Sequence, residues 1–124
     1  AAHLRVPFFA VVLRKAYGLG AMGMAAGGFH APSFTVAWPG AEFGAMGLEG
    51  AVRLGYRKEL DALPEGPARQ ALFDELLTRQ IAQGAAIPMA TTLEIDAVID
   101  PADTRRWVAQ GLQASGWGSS GRAK

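Results

Sequence analysis

The residues best suited to chemistry in this chain are backbone rather than side chain. Tyr17-Gly18-Leu19-Gly20-Ala21-Met22-Gly23 follows an apolar run and precedes a stretch of small helix-compatible residues. A glycine-rich turn entering a helix after a strand leaves first-turn amides without acceptors, and those amides can face an anion or a developing oxyanion. The other reading is that the glycines only let the helix pack closely on its sheet. One known phosphate pattern is excluded, because the Lys and Ser or Thr of a P-loop are missing. Gly18, Gly20 and Gly23 do have the G-x-G-x-x-G spacing of a dinucleotide fingerprint, which is a weak signal by itself.

The side chains offer less. Glu49, in Met46-Gly47-Leu48-Glu49-Gly50-Ala51-Val52, could act as a base, but a carboxylate in a first helical turn commonly just faces the helix dipole. His3 and His30 have no partners at ligand spacing, so metal binding is not expected. Ser33, Ser115, Ser119 and Ser120 lack a nucleophile-elbow setting. Arg105-Arg106 reads as a solvated helix face.

The elements that must hold the glycine turn follow from periodicity. Residues 6–13 are almost unbroken apolar, which predicts a central strand covered on both faces. After Arg14-Lys15 come the turn, a short helix over residues 21–26 and a stop at Gly27-Gly28. Residues 33–38 and 41–46 read as strands, and a helix begins near Gly47 with Leu48, Ala51, Val52 and Tyr56 on its apolar side. Residues 68–83 form a long amphipathic helix ending at Gly84. Residues 94–99 give a short strand, and Asp100-Pro101 caps and opens a last helix that buries Trp107, Val108 and Leu112. Strands alternating with helices make the fold class α/β.

Composition bounds the rest. The 124 residues, half of them hydrophobic, suit one modest core, with residues 115–124 a flexible tail by composition. A net charge of +1 without charged blocks argues against nucleic acid as a partner. With no cysteine, thiolate chemistry and disulfides are excluded. Residues 16–41 contain no Lys, Arg, Asp or Glu, yet are too broken by Gly and Pro for a membrane helix and are expected to be buried interior. The start of the chain shows neither a signal-peptide pattern nor an initiator Met, so processing or truncation is expected. Ala, Gly and Arg usage points to a GC-rich bacterial source and the cytoplasm as the default compartment.

The motif order resembles the carboxyltransferase (beta) subunits of biotin-dependent acetyl-CoA, propionyl-CoA and related acyl-CoA carboxylases. The residues that carry it are Val6-Pro7, Arg14-Lys15-Ala16-Tyr17-Gly18, Gly20-Ala21, Ala37-Trp38-Pro39, Met46-Gly47, Glu49-Gly50-Ala51-Val52, Ile95-Asp96, Val98-Ile99, Pro101 and Thr104-Arg105. The resemblance implies a crotonase-like fold of ββα turns, of which residues 1–114 would be the last part of the C-terminal half. It implies biotin, borne as carboxybiotin on a separate carrier domain, and acyl-CoA as the substrate. It further implies a homo-oligomer working with an acyl-CoA-binding half, a biotin carboxyl carrier protein and a biotin carboxylase. Biotin itself would take the α-proton, so no protein base is needed. Gly20 and Ala21 would be the biotin-side oxyanion hole, and Met22 and Gly23 would line the acyl and biotin channel.

Three departures from the family pattern stand out. Leu19 replaces a second glycine, Met22 an aromatic, and Gly23 a larger residue that helps set acyl size, which suggests a longer or branched acyl group. Thr91-Thr92-Leu93 replaces a charged pair and glycine. A biotin-dependent decarboxylase of the same fold and a non-catalytic assembly module remain the alternative readings. A hydratase or isomerase is disfavoured because no carboxylate pair is placed to add water.

Overall fold

A computed structural model describes residues 4–116. The elements run β1 (Phe9–Val12), β2 (Lys15–Tyr17), α1 (Gly18–Met24), β3 (Phe34–Ala37), β4 (Glu42–Gly44), α2 (Leu48–Gly55), α3 (Arg57–Asp61), α4 (Pro67–Gln83), α5 (Ala86–Thr91), β5 (Ala97–Val98), a 3₁₀ turn (Pro101–Asp103) and α6 (Thr104–Ala114). The alternation of strand and helix is the α/β pattern expected.

Two small parallel sheets form the layer. One has the order β1-β3-β5, and the other pairs β2 with β4. The centre of the larger sheet is β3, where Thr35, Val36 and Ala37 are all buried. Asp96 locks it to β5 twice. Its Oδ2 accepts the Thr35 amide at 2.7 Å, and its own amide donates to the Thr35 carbonyl at 2.8 Å. The Thr35 hydroxyl, buried and therefore in need of a partner, donates to the Phe29 carbonyl at 2.6 Å.

β1 corrects the expectation of a central strand. It stands at the edge of its sheet, half-buried throughout, and pairs only with β3 among the described residues. An apolar run shows that a strand has two covered faces, but position in a sheet is set by pairing with distant segments. One face of β1 is covered by α6, where Gly111 comes so close that an added Cβ would lie 2.8 Å from Phe9 and 2.7 Å from Phe34. Phe9 and Phe34 stack there at 4.6 Å, and Trp107 meets Phe34 edge-on at 5.5 Å. Trp107 and Val108, expected to be buried, are only half-buried, and Leu112 stays 36% exposed, so α6 buries none of its residues fully.

Residues 16–41 divide. Ala16, Ala25, Val36, Ala37 and Ala41 are buried, but Leu19 is 84% and Met24 82% exposed, and α1 buries no residue at all. The uncharged run is therefore interior only in part. α1 lies on β2 with one narrow side, and small residues on a short helix cannot cover much apolar surface.

A second core holds the helices together. Val52 of α2, Leu60 of α3, and Phe73 and Leu76 of α4 form it, with Arg53 stacked over the Phe73 ring at 4.6 Å. α4 stops at Gly84, where any Cβ would collide with the Phe43 carbonyl oxygen while the Phe43 amide donates to the Gly84 carbonyl at 2.7 Å. α5 then runs directly into the segment that departs from the family pattern. There Leu93 adopts φ +62°, a left-handed conformation that glycine holds most easily. The last helix begins as read, with Asp100 Oδ1 accepting the Ala102 amide at 2.8 Å and Pro101 opening the turn. His3, Ser119 and Ser120, with most of the expected tail, lie outside the described residues.

Candidate functional site

The glycine turn leaves the sheet at the end of β2. Lys15 and Ala16, read from sequence as the approach to a turn, instead belong to this strand, with Lys15 out, Ala16 in and Tyr17 half-buried. Tyr17 is still extended at φ −117° and ψ 134°, and Gly18 turns the chain with φ +57°. A Cβ on Gly18 would sit 3.0 Å from the Ala45 carbonyl oxygen, so both conformation and space require glycine there.

Gly20 and Gly23 differ. Nothing lies within 4 Å of a Cβ built on either, so close packing within this chain does not account for them. No side chain caps α1, and no acidic residue stands in its first turn. In a helix starting at Gly18, the amides of Gly18, Leu19 and Gly20 are those without an intrahelical acceptor. Ala21 is the first whose amide can turn back towards the Tyr17 carbonyl. Of the two residues expected to donate, Gly20 thus has the freer amide.

α1 separates two clefts. The first, of about 720 Å³, is lined by β1 and β2 with Gly20, Ala21 and Met24. The second, of about 680 Å³, is the more apolar, with Leu19, Ala21, Met22, Phe29, Phe43 and Met89 on its walls. Ala21 borders both. Gly23 borders neither and faces solvent. At the edge of the second cleft His30 Nε2 stands 3.8 Å from Glu94 Oε2, both well exposed.

Sequence reasoning missed the anchor of this turn. The Tyr17 hydroxyl donates to Glu42 Oε2 at 2.5 Å across the β2–β4 pair. Burial, and then the hydrogen bond to the Glu42 carboxylate, push the Tyr17 phenol up to about 12, so it is a neutral donor. The only signal for it in the sequence was the alternation of Lys15, Ala16 and Tyr17. Another link was equally illegible. The Trp38 indole donates to Thr104 Oγ1 at 3.0 Å, tying Ala37-Trp38-Pro39 to Thr104-Arg105 across 66 residues.

Glu49, exposed in the first turn of α2, lines a further cleft of about 420 Å³ together with Lys15 and Tyr17, and its charge adds to the forces that keep the Tyr17 phenol neutral. Ser33 is an exposed residue before β3 and lines neither cleft beside α1. Among the described residues no three His, Asp or Glu side chains are grouped to hold a metal ion, and no helix is long and apolar enough to cross a membrane. A smaller, polar cleft of about 410 Å³ between α2, α3 and α4 contains Arg53, Arg57 and Arg69, the last two paired with Asp61.

Parallel strands, small-residue helices and a glycine turn of this kind define part of a crotonase-like α/β fold, as the matching solved carboxyltransferase structures show. The chain belongs to the carboxyl transferase domain family, which it matches over residues 1–119. Over 108 residues it is 40% identical to the methylmalonyl-CoA carboxyltransferase 12S subunit of Propionibacterium freudenreichii subsp. shermanii, covering 87% of this chain and 20% of that one. Among solved structures it is similar to a single-chain, multi-domain long-chain acyl-CoA carboxylase. That match has a TM-score of 0.72 and 53% identity over 88% of this chain and 11% of the other. It is also similar to the transcarboxylase 12S hexamer core with methylmalonyl-CoA bound. There the TM-score is 0.77 and the identity 34%, over 96% of this chain and 22% of the other. The chain spans about a fifth of the length of the curated relatives it matches.

Proposed function

We propose that this chain is the biotin-facing part of a carboxyltransferase that moves a carboxyl group between biotin and an acyl-CoA. The observation that carries the reading is the family match across residues 1–119, which includes the glycine turn and the motifs on both sides of it. In this reading residues 1–114 form the last part of the C-terminal half. The acyl-CoA-binding half, a homo-oligomeric assembly, a biotin carboxyl carrier protein and a biotin carboxylase complete the working enzyme.

The residues present suit a biotin head group. They offer amides that no side chain caps, a helix start that favours negative charge, and open space above Gly20 and Gly23 where a Cβ would otherwise stand. When bound, biotin supplies the carboxyl group and leaves negative charge on its ureido ring. Gly20 donates its amide to that charge, with Ala21 assisting from the same turn. Donors held in place before the reaction stabilise developing charge without reorganising, and loss of one typically costs about 10²–10³ in rate. Tyr17 lines the same cleft as Gly20 and Ala21, with its hydroxyl proton committed to Glu42. Met22 borders the more apolar of the two clefts, where the acyl chain would lie.

The test is substitution of Gly20 in the assembled, full-length enzyme. Gly20→Ala should raise helix stability by about 0.5–1 kcal/mol, because alanine loses less backbone entropy than glycine. Gly20→Val, which meets no atom of its own chain within 4 Å of the new Cβ, should fold and yet lose carboxyl transfer. Normal turnover in Gly20→Val would end the biotin-side assignment. Substrate assays of the assembled full-length enzyme with its partners, following net fixation of bicarbonate into an acyl-CoA against net release of carbon dioxide from a carboxylated acyl-CoA, separate a carboxylase from a decarboxylase.

A further inference from the structure

We propose that Tyr17, through its hydrogen bond to Glu42, is a positioning residue that fixes where segment 18–23 leaves the sheet and so aims the amides of Gly20 and Ala21. This inference rests on the biotin-side reading above.

α1 has little structure of its own to hold it. It has seven residues, buries none of them, and has no capping side chain at either end. A helix that short does not support itself in water, because nucleation is unfavourable and stability normally comes from a packed face. Apart from Ala21, which packs on the first core, and Ala25, buried just past its end, its direction is set where the chain enters it. Three contacts meet there in consecutive positions. β2 is held to β4 in parallel register, with Lys15 opposite Glu42 and Tyr17 opposite Gly44. The Tyr17 ring lies against Gly44, where an added Cβ would come within 3.5 Å of Tyr17 Cδ1. Gly18 turns in the left-handed region hard against the Ala45 carbonyl.

To these contacts the phenol–carboxylate bond adds a directional one, made between two side chains. A hydrogen bond to a charged acceptor is about twice as strong as a neutral pair, and at 2.5 Å this one has the short geometry of that class. It joins residues 25 apart in sequence, immediately before the turn. Lys15 Nζ lies 5.9 Å from the Tyr17 ring centroid and adds to the same anchor. Neither Tyr17 nor Glu42 needs to touch substrate for this role. A misplacement of about 1 Å in an active-site group can cost about 10²-fold in rate, which is the scale at which a loosened take-off would be felt.

The test uses the assembled full-length enzyme and four variants: Tyr17→Phe, Glu42→Ala, Glu42→Gln and the Tyr17→Phe/Glu42→Ala pair. Tyr17→Phe and Glu42→Ala are expected to lower kcat by about 10- to 100-fold while KM for acyl-CoA stays within about twofold, because the lost alignment concerns the biotin side. Glu42→Gln keeps an acceptor oxygen and is expected to stay within about threefold of the parent kcat, and the double variant should be no worse than either single one. A parent-like kcat in Tyr17→Phe overturns the proposal. So does a Glu42→Gln enzyme as impaired as Glu42→Ala, or a kcat loss that only follows a loss in Tm. If Tyr17→Phe fails to fold, the comparison of Glu42→Ala with Glu42→Gln still decides. An impaired Gly20→Val beside an intact Tyr17→Phe removes the positioning role alone. An intact Gly20→Val removes the biotin-side reading and this proposal with it.

Discussion

At the scale of the residue, the glycines of one motif have separate causes. Gly18 is explained by a left-handed turn and a carbonyl 3.0 Å from its absent Cβ, while Gly20 and Gly23 are explained by nothing within their own chain. The motif therefore mixes a structural glycine with positions left open for something outside. Tyr17 gives a spectroscopic prediction. Its phenol is raised from 10.0 to about 12, so the folded state favours the neutral form. The stabilisation is complete below about pH 10 and is lost as pH climbs from there through about 12. An absorbance titration at 295 nm should show a late-ionising tyrosine that disappears in Tyr17→Phe. A Tyr17→Phe titration with the late step still present would contradict the assignment.

At the scale of the element, segments meet through backbone rather than through bulk. α4 ends where it does because Gly84 touches the Phe43 carbonyl and accepts that residue's amide, which joins the helical module to β4. Gly84→Ala forces a Cβ into that oxygen and should cost about 1–3 kcal/mol, the usual range for overpacking, as measured by urea denaturation. An unchanged midpoint would show that α4 and β4 can part freely. Leu93 is the counterpart, a bulky residue in a conformation that suits glycine, directly before the segment leading to β5. Helix limits were readable from sequence where breakers stood, as at Gly47, Gly84 and Asp100-Pro101. α3 and α5 were not, because five- and six-residue helices carry too few turns to establish a period.

At the scale of the molecule, the chain has two small cores and one exposed apolar shoulder formed by Leu19, Met22 and Met24 of α1. Beside it β1 presents an edge that pairs with no described strand. An apolar shoulder next to an open edge favours association. The 124-residue chain purified by itself should scatter light as multimers, and Leu19→Lys with Met24→Lys should shift it towards monomer; a monomeric parent would contradict this. The sequence by itself determined the α/β alternation, the glycine turn, the helix ends with breakers and the order of motifs that marks the family. Those are local properties, set by spacing and by residues with restricted backbones. Only the tertiary structure decided that β1 lies at an edge, that α1 is exposed, that Tyr17 is anchored by Glu42 and that Trp38 reaches Thr104. Each of these depends on a partner 20 or more residues away or on the absence of one, and neither is written in local periodicity.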